Sequence, residues 1–226
     1  MNNRPLTIEV YSDVVCPWCY VGKRRLERAL AQRQGSVKGE IIWRPFQLNP
    51  TMPAEGVERT AYLEAKFGSM EAFRRLEEHV TDAAREERIA FAFERIARTP
   101  NTFLAHRLIW YAALRDRQDE VVESLFKGYF QEGEEIGSQA SLVRLGRHAG
   151  LDGADVERFF RTDEGTVEVK EEEAAGGRLG IRSVPYFVVN RAYGISGAQP
   201  VERFVAAIDT IQAQPVTAGD HAPDER

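Results

Sequence analysis

Two cysteines are all that 226 residues provide, and nothing else in the chain could complete a zinc site around them. Structural zinc takes about four nitrogen or sulfur ligands. Here there is no second cysteine pair, and the four histidines never fall at the short spacing of a zinc-binding histidine pair. Long apolar runs are missing too. No stretch approaches the roughly 18–20 apolar residues of a membrane span, and the opening MNNRPLTIEV has no apolar signal core. The expectation is a cytoplasmic protein, where a lasting structural disulfide is disfavoured. Positive charge is in deficit. Thirty Lys and Arg against 35 Asp and Glu leave a formal charge of -5, which argues against nucleic acid as the main partner. Internal repeats and low-complexity blocks are absent. What remains is 43% hydrophobic content, enough for a sizeable core, in a length that suits one domain with an insertion or two close-packed lobes.

The two cysteines stand three positions apart in Val15-Cys16-Pro17-Trp18-Cys19. Leu6, Ile8, Val10 and Tyr11 before them read as a strand. Lys23 to Arg33 after them reads as an amphipathic helix, with Leu26, Ala29 and Leu30 on one side. Cys16 is therefore expected at a helix N-terminus, with Pro17 at the first helical position, which proline tolerates. Free N–H groups and the helix dipole favour a thiolate there. Cys19, one turn on, faces the same way and can close a disulfide with Cys16. A C-x-x-C at a strand–helix junction reads as a thioredoxin-like redox motif.

Taken in order, residues 5–13 read as a strand, 17–34 as a helix ended near Gly35, and 40–48 as a second strand. That unit fits a parallel crossover. Pro45 inside the second run points to an edge position or an early end to pairing. From Ala54 to about Gly150 the pattern is helical: Val57–Phe67, Met70–Arg88, a helix started near Asn101, then 119–131, 138–149 and 152–161. Residues 164–178 are helix-compatible. Two short strands follow, Tyr186–Asn190 and Tyr193–Ser196, joined by a turn near Arg191-Ala192 as an antiparallel hairpin. Val201–Ile211 closes the chain as a helix, and 213–226 reads as a disordered tail. Charge is unevenly placed: eight basic and four acidic residues in 1–50, six and fifteen in 119–173. The two faces are either simply solvated, or form a basic catalytic lobe that helps to hold a thiolate beside an acidic lobe that biases substrate choice.

Ser12-Asp13-Val14-Val15-Cys16-Pro17-Trp18-Cys19-Tyr20-Val21-Gly22 resembles the active-site opening of DsbA-like thioredoxin-fold oxidoreductases, and within them the FrnE-like branch. Trp43 to Pro50, Pro100-Asn101-Thr102 with Ala105-His106, Ser183-Val184-Pro185-Tyr186-Phe187 and Ser196-Gly197-Ala198-Gln199 resemble that branch's other blocks, in the same order. The resemblance implies an α/β thioredoxin fold, a central mixed sheet flanked by helices, interrupted by an all-helical insertion domain. The parts would be 1–50 and 164–212 for the thioredoxin-like domain and 54–160 for the insertion.

It also implies thiol–disulfide exchange with thiol- or disulfide-bearing proteins, peptides or small thiols, and no bound cofactor beyond the redox-active Cys16–Cys19 disulfide. Glutathione is admitted as a co-substrate. Cys16 would attack and Cys19 resolve. Pro185 would be cis and face the cysteines, so that Val184 pairs with an extended substrate. Pro17 and Trp18 would meet the substrate, although Trp18 could equally pack on the insertion. His106 would border the cleft, although a lone histidine on an apolar helix is ordinarily a satisfied core residue. Arg44 and Asn49 could reach a small anionic ligand or serve structure alone. His79, His148 and Glu171 to Glu173 read as solvated positions. Val10 stands where relatives carry a buried acid, and strand alternation sends Glu9 and Asp13 to the other face. The 2-hydroxychromene-2-carboxylate isomerases and kappa-class glutathione transferases resemble the same split fold, so a glutathione-dependent isomerase or transferase is the alternative. In those relatives serine commonly replaces the first cysteine; here both are present.

Overall fold

The computed structural model describes residues 5–33 and 38–213. Gly35 and the tail from residue 214 lie outside them. Alternating apolar residues build the centre of the molecule. Strand β1 (Pro5–Ser12) buries Leu6, Ile8 and Val10 on one face and Tyr11 on the other. It lies parallel to β2 (Lys38–Pro45) and antiparallel to β5 (Tyr186–Val189). β6 (Tyr193–Ser196) pairs antiparallel with β5, giving the order β2-β1-β5-β6. Pro45 is the last residue of the edge strand β2, where a missing N–H interrupts no ladder. The hairpin turn places Asn190 and Arg191 at φ of 50° and 56°, a left-handed pair that bends the chain without glycine.

Each face of the sheet is covered. The Leu6–Ile8–Val10 face packs with α1 (Pro17–Ala31) and α9 (Val201–Ala213), whose Leu26, Phe204 and Ile208 join one large core. On the opposite face Tyr11, Val188 and Ile181 form a smaller cluster. Helix α8 (Thr166–Arg178) lies over it with Gly176 against the Tyr11 ring.

Between the two halves of the sheet run α2 (Arg59–Phe67), α3 (Met70–Glu86), α4 (Phe103–Ala113), α5 (Gln118–Lys127), α6 (Gln139–His148), α7 (Gly153–Phe160) and then α8. Side chains cap α2, α3 and α7, and Asn101 takes an N–H at the start of α4. The Glu58 carboxylate accepts the Thr60 and Ala61 N–H groups, Ser69 accepts from Ala72, Asn101 from Phe103, and Asp152 from Asp155. The stretch expected as all-helical also holds a two-stranded ladder, β3 (Val57–Glu58) with β4 (Arg98–Thr99). Pro100 accounts for part of it, because a residue before proline is driven to extended backbone. A π-helical turn (Gly128–Glu132) continues α5.

Part of the uneven charge of the sequence is paired where α1 meets the helices that follow. Lys23 is buried among Glu27, Asp119 and Glu123. Burial opposes its charge, but the three carboxylates outweigh burial and hold its pKa above the usual lysine value. Arg24 pairs with Glu123, and Arg25 and Arg28 share the buried Glu87. Gln118 meets the free edge of β2. Its amide accepts the Trp43 N–H at 2.9 Å and donates to the Trp43 carbonyl at 3.0 Å.

Two adjacent glycines of α8 report on this packing. A Cβ at Gly176 would meet the Tyr11 ring at 2.7 Å, whereas a Cβ at Gly177 meets nothing within 4 Å. Gly176→Ala is expected to destabilise by about 1–3 kcal/mol through overpacking. Gly177→Ala should stabilise by up to about 1 kcal/mol through helix propensity. Thermal unfolding of the two variants should shift in opposite directions.

Candidate active site

The chain leaves β1 at Ser12 and enters α1 at Pro17, and the cysteine pair straddles this junction. Cys16 is the N-cap residue, with extended backbone (φ -94°, ψ 110°), and Pro17 follows at the start of the helix. The loop is held by Cys16 N–H on Asp13 O and Cys19 N–H on Cys16 O, both 3.0 Å. Both cysteines are reduced and stand 3.5 Å apart. The expected contrast in exposure is slight, since Cys16 is 6% and Cys19 1% exposed. Burial, and then the neighbouring Cys16, push the Cys19 thiol well above its ordinary pKa, against weaker opposing hydrogen bonds from Ser12 and Asp13.

Val184 and Pro185 meet the pair from the other half of the sheet. The Val184–Pro185 bond is cis, and the Cys16 thiol donates to the Val184 carbonyl at 3.7 Å. Pro185 is seated by two contacts. Its carbonyl accepts the Gly197 N–H at 2.8 Å, and its ring sits where a Cβ on Gly22 would come within 3.0 Å. Gly197 has φ of +79°, a conformation that favours glycine. Arg25 donates to the Ala198 carbonyl next door at 2.7 Å. Trp18 is half-buried. It packs against the core and sets its ring 5.4 Å from that of His79 on α3, which is exposed as the sequence suggests while touching Trp18 with its ring.

Asp13 departs from the expectation of strand alternation. β1 ends at Ser12, so alternation no longer governs its direction, and Asp13 is wholly buried. One carboxylate oxygen accepts the Leu48 N–H at 2.7 Å, and the other faces His106 Nε2 at 3.5 Å. His106 on α4 is 3% exposed and lies against Asp13 rather than at the border of the cleft. The buried side of an apolar helix supplies this position. Glu9 and Arg44 form an ion pair that Glu172 completes, which commits Arg44 to structure. Glu172 and Glu173 are not a solvated face, because α8 packs on the sheet. Burial raises the pKa of both, against the lowering effect of Arg44 on Glu172 and His106 on Glu173.

An apolar cavity of about 260 Å³ opens beside the cysteine loop. Val15, Pro17 and Trp18 line one side, α2 and α3 line another, and Arg59, Thr99 and Tyr129 contribute polar groups. Sequence reading missed it because its walls come from six separate stretches of chain. The described residues contain no group of three or more His, Cys, Asp or Glu able to hold a metal, and no helix long and apolar enough to cross a membrane.

The comparisons with known proteins follow this geometry. The model of the DsbA-like thioredoxin domain matches residues 7–209, which includes the cysteine loop, the inserted helices and the closing hairpin. The chain belongs to the DsbA-like thioredoxin domain family. A probable DsbA oxidoreductase from Streptomyces coelicolor is 32% identical, with a TM-score of 0.84 over 94% of this chain and 92% of its own. The Bacillus subtilis protein YwbO is 27% identical over 208 residues, covering 91% of this chain and 96% of its own. The cytosolic disulfide reductase DsbM from Pseudomonas aeruginosa, solved with glutathione, shares the fold at 17% identity, with a TM-score of 0.63 over 91% of this chain and 98% of its own. Family membership makes this a DsbA-like redox protein that uses a cysteine pair.

Gly22 tests the seating of Pro185. A Cβ there would press on Pro185 at 3.0 Å and on Phe187 at 3.1 Å. Gly22→Ala should cost about 1–3 kcal/mol of stability. By displacing the wall opposite Cys16, it should also slow disulfide exchange by about tenfold. Thermal unfolding and a stopped-flow exchange assay measure the two effects.

Proposed function

We propose that the protein is a thiol–disulfide oxidoreductase in which Cys16 carries the mixed disulfide and Cys19 resolves it. The observation that carries this reading is the reduced pair 3.5 Å apart at the start of α1, with the second thiol wholly enclosed. The Cys16 thiolate attacks one sulfur of a substrate disulfide. A Cys16–substrate disulfide forms and the other half leaves as a thiolate. Cys19 then gives up its proton and attacks the Cys16 sulfur. The Cys16–Cys19 disulfide forms, the second substrate thiolate leaves, and two electrons have passed to the substrate. Run in reverse, the same steps oxidise a substrate dithiol.

The surroundings support this division of labour. At the start of the helix the Cys16 and Cys19 N–H groups are already bonded and Pro17 has none, so the Trp18 N–H and the helix dipole are what favour negative charge there. Burial keeps Cys19 protonated until it is needed. The Val184 carbonyl beside Cys16 is placed to accept from a substrate backbone, with Pro185, Pro17 and Trp18 as its apolar surroundings. His106, behind the loop, acts on Asp13 rather than on substrate. In this reading residues 54–160 are an insertion into a thioredoxin-like domain made of 1–50 and 164–212, of the FrnE-like type. Substrates are proteins, peptides or small thiols in the cytoplasm. The glutathione bound by DsbM, described as cytosolic, supports the small-thiol case.

Limiting iodoacetamide, with mass spectrometry to locate the label, should mark Cys16 before Cys19. Cys16→Ser should abolish exchange. Cys19→Ser should react once and accumulate a mixed disulfide with substrate or glutathione. Labelling of Cys19 first would reverse the two roles. Turnover of a glutathione conjugate that survives Cys19→Ser would favour the glutathione-dependent isomerase or transferase instead.

A further inference from the structure

We propose that the cavity beside the cysteine pair is a carboxylate-binding pocket, and that it selects low-molecular-weight thiols and disulfides with an apolar body ending in a carboxylate. This rests on the redox reading and names its substrate class.

The walls set the first half of the specificity. Val15 and Pro17, the neighbours of Cys16 on either side, line the cavity with Trp18, and Phe67 and Phe73 face in from the inserted helices. About 260 Å³ lies just under the common range for small-ligand pockets, roughly 300–1,000 Å³. It suits one ring or one branched aliphatic body rather than a length of peptide. A ligand seated there has its sulfur end next to the residues that flank Cys16.

The polar lining sets the second half. Arg59 spreads its guanidinium over Phe73 and Phe93, 5.6 Å from each ring centre. Glu77 also lines the cavity, yet Arg59 forms no ion pair with it or with any other described residue. Thr99 Oγ1 is buried without a hydrogen bond of ordinary length. The Tyr129 hydroxyl has only a 3.4 Å contact to the Arg98 carbonyl. Burial pushes the Tyr129 pKa up to about 12, so this hydroxyl is a donor at neutral pH. The Arg59 and Thr99 side chains approach that hydroxyl and oppose the rise. A guanidinium with more donors than this one contact uses, beside two hydroxyls in an apolar cavity, matches a group that accepts several hydrogen bonds and carries one negative charge. Lys66, bonded only to the Tyr62 hydroxyl at 2.7 Å, adds a second cation to the lining. Tyr129 and Phe130 sit on the π-helical turn, a rare geometry that recurs at functional sites.

The probe is 1-naphthoate, an apolar carboxylate without sulfur, titrated into the reduced full-length protein by calorimetry and tryptophan fluorescence. The expected result is saturable one-to-one binding, at least about tenfold tighter than for the uncharged 1-naphthamide, and at least about tenfold weaker in Arg59→Met, with partial recovery in Arg59→Lys. Naphthoate should also inhibit disulfide exchange competitively. No binding, equal affinity for acid and amide, or binding without competitive inhibition would each overturn the proposal. So would unchanged affinity in a folded Arg59→Met protein. The acid–amide comparison uses the wild-type chain alone, so it decides the matter even where Arg59→Met does not fold. Failure of the redox reading is separate, and would show as exchange activity that survives Cys16→Ser.

Discussion

Asp13 is the residue on which the site is assembled. Three stretches of chain meet on it. Its backbone carbonyl takes the Cys16 N–H, one carboxylate oxygen takes the Leu48 N–H at the exit of β2, and the other faces His106 on α4. A carboxyl group removed from water is costly unless its partners replace that water. The same enclosure makes the Leu48 N–H hard to move, because its release would leave a buried donor and a carboxylate oxygen unmatched. The cysteine loop, the end of the edge strand and α4 are therefore registered to one another by a single residue, through its backbone carbonyl and its carboxylate. Cys16 stands three residues along the chain from this anchor.

The second constraint is electrostatic and acts at a distance from the cysteines. Much of the basic face of α1 is paired with acids of the following helices, with Lys23 buried and Arg28 still half-exposed. Lys23 and Arg24 meet acids of α5, and Arg25 and Arg28 meet Glu87 at the end of α3. The helix that carries Cys16 at its start is thus pinned along its length by the inserted segment. Removing one member of such a group leaves charge buried without compensation, which costs more than the pair contributes when intact. These contacts use Asp119 and Glu123 from the acidic stretch, while residues such as Asp152, Glu157 and Glu171 remain exposed.

The order of elements was legible because it rests on local pattern. Alternation in Leu6–Val10, the helical spacing of Leu26, Ala29 and Leu30, and the short runs around Arg191 each carry their own signal. The cysteine pair was legible for the same reason, since its spacing and its strand–helix junction lie within one short window. What escaped depends on distant parts of the chain. Asp13 turned inward because β1 stops one residue before it. His79 meets Trp18, and Glu172 meets Arg44, across gaps that no window spans. The cavity joins residues from the cysteine loop, α2, α3 and the π-helical turn, and no single one of those stretches looks like a binding site. The β3–β4 ladder was hidden by the helical patterning around it, with Pro100 its one local sign.

Gln118 has a consequence for how this protein behaves in company. By bonding both the N–H and the carbonyl of Trp43, it occupies the middle of the β2 edge, where another strand would have to start pairing. An uncovered strand edge is a template for aggregation and strand exchange. The β2 edge is therefore capped at Trp43 by α5, while the four-residue β6 forms the other margin of the sheet. A second chain that paired along the whole of β2 would have to displace Gln118 first.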